Sequence, residues 1–380
     1  MSQVIHVCIV GNDPISVLTP IIDTSIPSDH VVLAFREHDR AAFNIVKRVA
    51  GSRGYKVTEW QLPDSHDTAE ASFSFQTLFD RFCDGTATVW FNASTGSRHQ
   101  VLAAVEVARA YAVDIYVIEP ALDKLFWLSP MDRPSVPVKD KLTLKEFFQL
   151  YGCRVESSHN QGLPHEYEQV VYEWAARGNL LKDGLSSLNY LATRASGSNF
   201  ESPVLNARMH KNQALQYLIG TLEQVGLVTY HNNALQFLTT ETQRFANGAW
   251  LEYLVFAQLR ELKKTLPALQ DIGHGIEVSR TINGQKVQNE LDGLALHNNT
   301  LHIIEVKTRR FDRTEANKTL YKLSSLSDRL GGLKSHCALI SYYPLRHSEL
   351  ARAHDLGIQV IADGAIRHLK QALQQWMEQQ

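Results

Sequence analysis

Five short apolar segments separated by helical patterns fill residues 1–120 of the 380-residue chain, and they restrict its fold more than any other feature. They lie at residues 5–10, 31–35, 55–61, 88–92 and 114–118. Strands this short that alternate with helices pair in parallel, and helices cover both faces of the sheet. The pattern predicts an α/β fold for residues 1–142, with a Rossmann-like parallel sheet.

Polar loops follow the first and fourth of these strands. In doubly wound folds such loops line the ligand crevice at the carboxyl ends of the strands, and hydroxyls and amides at a helix start bind anions. Each loop alone also suits an ordinary turn, and the lack of Walker A and G-x-G-x-x-G motifs argues against ATP and NAD. The predicted ligand-binding residues are Asn12, Asp13, Ser16, Asn92, Ser94, Thr95, Gly96, Ser97 and Arg98.

The C-terminal region, residues 241–380, has a different order of elements. Asn283-Gly284 and Asn298-Asn299 supply two hairpin turns, and Asn-Gly is the strongest short turn signal. The pattern indicates a second α/β domain with the order helix, three strands, helix, strand. These elements are predicted at residues 242–264, 276–282, 287–297, 301–306, 315–330 and 337–342.

Two acids and a lysine lie on neighbouring strands of this domain. Glu305 and Lys307 are two residues apart, so their side chains share one face, and Asp292 lies on the preceding strand. The two carboxylates, completed by the Val306 carbonyl and by waters, can hold a hard divalent cation. Such a cation polarises a phosphate and activates a bound water, while Lys307 positions that water or stabilises developing charge. The constellation predicts phosphodiester hydrolysis.

Glu252 is a further candidate for this site. It lies within the apolar stretch Trp250-Leu251-Glu252-Tyr253-Leu254 of the preceding helix. A carboxylate is costly to bury there unless it is paired or bound to a metal. Two interpretations stay open: Glu252 contributes to the catalytic site, or it lies on the polar stripe of an amphipathic helix.

Residues 143–240 are predicted to be mostly helical and to link the two α/β domains. A helix at 213–223 and a hairpin at 227–238, with His231-Asn232-Asn233 as its turn, together resemble a winged-helix unit. That unit can bind DNA, and the alternative is a linker or a dimer-forming module. The role of the stretch from residue 151 to 200, with Ser196-Gly197-Ser198, is not apparent from its pattern.

Charge and cysteine content exclude several classes of protein. A net charge of −2 argues against a surface coated with basic residues, so any nucleic-acid contact must be a local patch. The four cysteines are far apart, which argues against zinc and disulfides and fits a cytoplasmic protein. The apolar run at 4–10 is too short to span a membrane. One basic patch lies between residues 307 and 334, where Lys and Arg outnumber the three acids. Its basic residues are Lys307, Arg309, Arg310, Arg313, Lys318, Lys322, Arg329 and Lys334.

The C-terminal constellation resembles the PD-(D/E)xK nuclease superfamily, with Asp292, Glu305 and Lys307 on its motif positions. Leu291 stands where the motif has proline. The loop at 92–98 resembles the Asn-x-Thr-Gly-Gly-Thr-Lys signature of CARF domains, the CRISPR-associated Rossmann-fold sensors. Asn92 and Gly96 are kept, and the substituted positions are Ser94, Thr95, Ser97 and Arg98.

A CARF sensor joined to such a nuclease resembles a family of CRISPR ancillary nucleases. The resemblance implies a homodimer that binds one cyclic oligoadenylate, with cyclic tetra-adenylate as the expected ring, and a nuclease switched on by that ligand. It also implies Mn²⁺ or Mg²⁺ as the metal, and single-stranded DNA, single-stranded RNA or nicked duplex DNA as substrate. Two alternatives stay open: a ligand-independent repair or restriction-type nuclease, and a non-catalytic nucleotide-sensing regulator.

Overall fold

Seven strands form the sheet of the N-terminal unit, residues 1–154, in the computed structural model. The structure describes residues 3–119, 122–139, 142–158, 162–195, 197, 199–282, 284–331 and 335–379. The elements of this unit are β1 (Gln3–Ile9), α1 (Pro14–Ile22), β2 (His30–Phe35), α2 (Arg40–Ser52), β3 (Lys56–Gln61), α3 (Thr68–Phe82), β4 (Ala87–Asn92), α4 (Arg98–Ala110), β5 (Asp114–Glu119), β6 (Lys124–Ser129), β7 (Val136–Pro137) and α5 (Leu144–Leu150).

The strand order is β3-β2-β1-β4-β5-β6-β7, and β1 to β5 are parallel. Burial explains this arrangement, since every residue of β2 is buried and Phe75 and Phe79 of α3 pack on Phe91 of β4. The predicted Rossmann-like α/β sheet is confirmed. Two further features were not predicted: β6 and β7 add an antiparallel edge, and the chain from Pro14 to Ile22 is a helix.

The second unit, residues 155–380, is built on a six-stranded sheet in the order β15-β14-β13-β12-β11-β8. Helices and a small two-stranded sheet, β10-β9, complete it. Its elements are β8 (Arg154–Ser157), α6 (His165–Arg177), α7 (Lys182–Ala195), α8 (Ala207–Lys211), α9 (Gln213–Gln224), β9 (Val228–His231), β10 (Ala234–Phe237), α10 (Thr240–Arg244), α11 (Trp250–Thr265), β11 (Leu269–Ile282), β12 (Gln285–His297), β13 (Thr300–Lys307), α12 (Arg313–Leu330), β14 (Ser335–Ser341), α13 (His347–Asp355), β15 (Ile358–Ala362) and α14 (Leu369–Glu378).

The three predicted central strands are present as β11, β12 and β13, with antiparallel pairing between neighbours. Asn298 and Asn299 have positive φ angles of 47° and 54°, as a tight hairpin turn requires. Asn283 of the other predicted turn lies outside the described residues. The predicted hairpin after α9 is also present, with Asn232 and Asn233 at φ 51° and 60°.

The region predicted as a linker shares a hydrophobic core with the strands that follow it. The rings of Trp174 on α6 and Trp250 on α11 pack edge to face at 5.6 Å, and Trp250 packs in the same way on Tyr342 at 5.4 Å. α7 is buried along one face at Leu185 and Leu188, which are fully inaccessible. The domain boundaries predicted at residues 142 and 240 stay predictions.

The single helix predicted over residues 242–264 is wrong. α10 ends at Arg244, a π-helical turn spans Phe245–Ala249, and α11 starts at Trp250. Gly248 within the turn has a φ of 121°, which is readily accessible only to glycine, and a Cβ there would lie 2.0 Å from Thr308 Oγ1. Glycine thus allows both the kink and the close approach of the chain after β13. Single π turns of this kind often occur at functional sites.

Candidate active site

The predicted acids and lysine come together where β12 and β13 run side by side. In this antiparallel pair, His297 lies opposite Thr300 at one end and Gly293 lies opposite Ile304 at the other. Next to that last pair, the Asp292 carboxylate accepts a hydrogen bond of 2.7 Å at Oδ2 from the Val306 amide. A side chain therefore takes the place of a strand carbonyl and holds Asp292 beside the Glu305–Lys307 segment.

Lys307 connects the two carboxylates. Its Nζ donates to Glu305 Oε1 at 2.6 Å and to the Val306 carbonyl at 3.0 Å, and it lies 3.7 Å from Asp292 Oδ2. Lys322 of α12 reaches the other oxygen of Glu305 at 3.5 Å. Glu305 is only 5% exposed, so these contacts lie in a region with little water to screen them.

Burial alters the ionisation of this cluster. Burial first, and then the charge of Glu305, raises the pKa of Asp292 to about 6, although Lys307 opposes the shift. Burial would lower the pKa of Lys307, but the charges of Asp292 and Glu305 outweigh that effect and raise this pKa. The lysine is therefore held as an ammonium between two carboxylates.

Glu252 reaches this cluster from α11. Burial, followed by the charge of Asp292, raises the pKa of Glu252 to about 8, against the opposing effects of Arg244 and Lys307. Its Oε2 accepts no hydrogen bond within the described chain, and the nearest cation is Arg244, with Nη2 at 3.6 Å. Arg244 also donates to Glu290 at 3.0 Å. The structure therefore places Glu252 in the electrostatic surroundings of Asp292 and Lys307 and not on a solvated stripe.

A cavity of about 480 Å³ opens over Glu252 and Lys307. One wall comes from α7, in the stretch that showed no function in the sequence, and another from the kink around Gly248. Tyr190 of α7 is 47% exposed here, and the Arg194 guanidinium lies 5.7 Å from its ring centre. The lining residues are Asn189, Tyr190, Thr193, Arg244, Asn247, Gly248, Ala249, Glu252, Val306, Lys307, Thr308 and Arg309.

The residues of the predicted basic patch differ in their contacts. Lys322 contacts Glu305, whereas Arg309 pairs with Glu315 at 2.8 Å and Lys318 is exposed. The Arg310 guanidinium lies over the Tyr343 ring at 5.2 Å. Lys334 lies outside the described residues.

Both polar loops of the N-terminal unit line one cavity of about 250 Å³. It lies at the carboxyl ends of β1 and β4, where the strand order changes direction, which is the usual ligand position in doubly wound sheets. The loops touch closely, because a Cβ on Gly11 would lie 2.9 Å from the Gly96 amide nitrogen. The lining residues are Val10, Gly11, Asn12, Asp13, Arg36, Asp39, Ser94, Thr95, Gly96 and Ser97.

Asn92 and Ser16, which were expected to bind ligand, lie behind this cavity instead of in its wall. Asn92 is fully buried, its Nδ2 donates to the Ser16 carbonyl at 2.9 Å, and its Oδ1 accepts from the Ser94 amide at 3.0 Å. Thr95 donates its hydroxyl to the Ile9 carbonyl. Asn92 and Thr95 thus bind the loops to each other and to β1.

The cation in the cavity wall is Arg36, not the expected Arg98. Arg98 is exposed at the start of α4 and is not among the lining residues. The Arg36 side chain is 13% exposed and its Nε lies 3.5 Å from Asp39 Oδ2. Sequence reasoning missed Arg36, although its position directly after β2 was a usable signal. Asp13 lines the cavity and caps α1, with its carboxylate accepting from Ile15, Ser16 and the Ser16 hydroxyl.

Comparison with known proteins identifies relatives of both α/β units. Residues 239–380 match the family described as Card1-like, endonuclease domain. The crystal structure of protein VC1899 from Vibrio cholerae is 33% identical, with a TM-score of 0.90, over 99% of this chain and 98% of that chain. The chain belongs to the CARF-domain CRISPR ancillary nucleases. The resemblance seen in its sequence motifs is confirmed.

Two more solved structures share the fold of this CARF nuclease. One is Can2 from Sulfobacillus thermosulfidooxidans in complex with cyclic tetra-adenylate, 22% identical with a TM-score of 0.77, over 98% of this chain and 96% of that chain. The other is a type III CRISPR defence DNA nuclease activated by cyclic oligoadenylate, 14% identical with a TM-score of 0.53, over 90% and 45%. No curated protein matches the sequence. In the described part of the CARF nuclease, no helix is long and apolar enough to cross a membrane.

Proposed function

We propose that this nuclease hydrolyses phosphodiester bonds with a divalent metal held by Asp292, Glu305 and the Val306 carbonyl and with Lys307 beside it, and that a cyclic oligoadenylate bound to the N-terminal unit activates it. The single observation that carries the catalytic part is the Asp292–Lys307–Glu305 cluster, whose Lys307 lines an open cavity together with Glu252. Carboxylates whose pKa is shifted by burial and by a specific charged neighbour, as that of Asp292 is, cluster at functional sites.

The donor set fits a hard cation. No group of three or more His, Cys, Asp or Glu side chains is already arranged around a metal position in the described residues. Asp292 and Glu252 nevertheless have raised pKa values, and Glu252 Oε2 accepts no hydrogen bond within the described chain, so the cluster has an excess of carboxylate. Oxygen-rich sites of this kind suit Mg²⁺ or Mn²⁺.

Asp292, Glu305 and the Val306 carbonyl would hold the metal, which supplies charge neutralisation and a bound water of lowered pKa. Lys307, anchored by Glu305 and Val306, donates to a phosphate oxygen or orients the attacking water. Glu252 faces the same cavity and, with its raised pKa, can accept and return a proton near neutral pH.

The N-terminal cavity supports the regulatory part of the proposal. Two polar loops at helix starts and the Arg36 guanidinium, which lies beside Asp39, line a cavity that we propose for an anionic ligand. The fold neighbour Can2 was solved with cyclic tetra-adenylate, and we extend that ligand to this chain. In a homodimer the two cavities meet one ring, so a twofold-symmetric ligand engages both copies. Activation then requires that the ligand bind the active arrangement more tightly than the inactive one.

The test is a cleavage assay with and without cyclic tetra-adenylate in Mn²⁺ or Mg²⁺, on single-stranded DNA, single-stranded RNA and supercoiled plasmid. We expect cleavage only when both ligand and metal are present, and none with Glu305→Gln. Cleavage at the same rate with and without cyclic tetra-adenylate would indicate a restriction-type or repair nuclease. Ligand binding without cleavage in any metal would indicate a non-catalytic regulator.

A further inference from the structure

A second cavity in the C-terminal unit, of about 340 Å³, is lined by residues next in sequence to those of the catalytic cavity. Arg310 and Phe311 in its wall directly follow the segment that lines the catalytic cavity, and Lys182 lies on the same helix, α7, as Tyr190. Three cations and one acid line it. Its principal lining residues are Lys182, Arg310, Phe311, Tyr343, Arg346 and Glu349.

The three cations differ in how far they are neutralised. Arg310 forms no ion pair with any residue the structure describes, and its guanidinium lies over the Tyr343 ring, 5.2 Å from the ring centre. Arg346 is 58% exposed, and its Nη1 lies 3.8 Å from Glu349. Lys182 is paired, with its Nζ 2.5 Å from Asp363 Oδ1. Three positive groups therefore line one cavity, and of these Arg310 alone has no ion-pair partner among the described residues.

Glu349 is the acid of this cationic cavity, and its Oε1 lies 3.8 Å from Arg346 Nη1, beyond hydrogen-bond distance. The residue is 3% exposed, its Oε2 accepts from the Arg346 amide at 2.8 Å, and its Oε1 has no hydrogen-bond partner among the described residues. A buried acceptor without a donor is costly. A phosphodiester cannot satisfy it because it carries no donor, whereas a sugar hydroxyl or a base amino group can.

We infer that this cationic cavity is a nucleotide subsite for the substrate strand, an inference that rests on the proposed nuclease function. Lys182, Arg310 and Arg346 bind a backbone phosphate, and the aromatic walls accommodate the attached nucleoside. Glu349 Oε1 accepts from its sugar or base. Lys182 precedes Asn189 by seven residues of α7, a rise of about 10 Å at 1.5 Å per residue. That length corresponds to about three stacked nucleotides, so one strand can occupy both cavities.

Binding is measured separately from cleavage by placing every variant in the full-length Glu305→Gln protein. Fluorescence anisotropy with labelled single-stranded RNA and DNA of matched sequence gives Kd across a salt series. We expect Arg310→Ala and Lys182→Ala each to weaken binding about tenfold at low salt and to reduce the salt slope by about 0.7, the value for one lost phosphate contact on a single strand. Lys264→Ala, an exposed lysine of α11 that lines neither cavity, is the control.

The inference would be overturned if Arg310→Ala and Lys182→Ala both bound the strand with wild-type affinity and salt slope, even if the wild-type enzyme cleaves nucleic acid. Absence of cleavage by the wild type would instead count against the proposed function. Glu349→Gln keeps an oxygen for the helix cap and weakens the acceptor. If Glu349→Gln weakens the binding of RNA alone, the donor is a sugar hydroxyl. If it weakens the binding of both RNA and DNA, the donor is a base. If the affinity for neither changes, Glu349 is not part of the subsite.

Discussion

The Asp292 carboxylate accepts a hydrogen bond from the backbone amide of Val306, the residue between Glu305 and Lys307. This bond ties an acid on one strand to the centre of the motif on the next. It also leaves Asp292 3.7 Å from the Lys307 ammonium. The catalytic hypothesis therefore depends on strand pairing for its geometry, and small changes at these three side chains should remove activity without removing the fold.

Glu305→Gln and Lys307→Ala should each lower the cleavage rate by about a hundredfold or more, as expected for the loss of a group that stabilises developing charge. Asp292→Asn should behave in the same way because it removes a negative charge at nearly constant volume. Rates with activator and Mn²⁺ test this, with circular dichroism as the check on folding. A folded variant with wild-type rates would refute the site.

Metal-free protein should lose stability as the pH rises from about 4 to about 8. The pKa values of Asp292 and Glu252 are raised to about 6 and about 8, above the ordinary carboxyl values near 4. The folded state therefore retains protons that the unfolded state releases, and the associated stability, complete at low pH, disappears as the pH passes the folded pKa. Thermal melts in EDTA should show Glu252→Gln with a smaller decline in Tm between pH 6 and 8. An unchanged decline would contradict the burial of Glu252 as a carboxylate.

Tyr190→Ala should weaken binding of single-stranded nucleic acid, because the exposed ring beside Lys307 offers a face for base stacking. Stacking of one base contributes about 1–3 kcal/mol, which corresponds to a loss of affinity of about five- to 150-fold. Tyr190→Phe keeps the ring and is the matched control. Equal affinities for the alanine and phenylalanine variants would show that the ring takes no part.

Arg36→Ala should reduce activation by cyclic tetra-adenylate more than Arg98→Glu does. Arg36 lines the cavity of the N-terminal unit, whereas Arg98 is exposed at the start of α4. A hydrogen bond to a charged group contributes about 1.5–3 kcal/mol, and a homodimer would lose two. Titration of the ligand against binding and cleavage decides between them. A larger effect at Arg98 would restore the assignment made from its position in the CARF-like loop.

Gly248→Ala should destabilise the C-terminal unit by about 1–3 kcal/mol from backbone strain alone, because its φ is 121° and an added Cβ would meet Thr308 Oγ1. Chemical denaturation measures the change. Combining it with Thr308→Ser leaves the hydroxyl in place, whereas Thr308→Ala removes the clashing oxygen. If Thr308→Ala, but not Thr308→Ser, partly restores the stability of the Gly248→Ala protein, the contact with Thr308 Oγ1 is a cause of the destabilisation.

Local sequence patterns were sufficient to predict the strands and to bring Asp292, Glu305 and Lys307 together. Asparagine turns between extended segments located β11, β12 and β13, and the spacing of Glu305 and Lys307 placed them on one face. The order of apolar strands also placed the two N-terminal loops at one sheet edge, where they share a cavity. Each of these inferences depends on residues close together in the chain.

The sequence by itself determined the two α/β sheets and the residues that follow or occupy their strands, because hydrophobic periodicity and turn chemistry act over a few residues. Only the tertiary structure decided that Tyr190 and Lys182 of α7 line the cavities beside β13, and that Arg36 replaces Arg98 in the N-terminal cavity wall. It also decided that the helix before β11 bends at Gly248, because Thr308 packs against it from a distant part of the chain. Such contacts arise from the packing of whole elements, which no local pattern records.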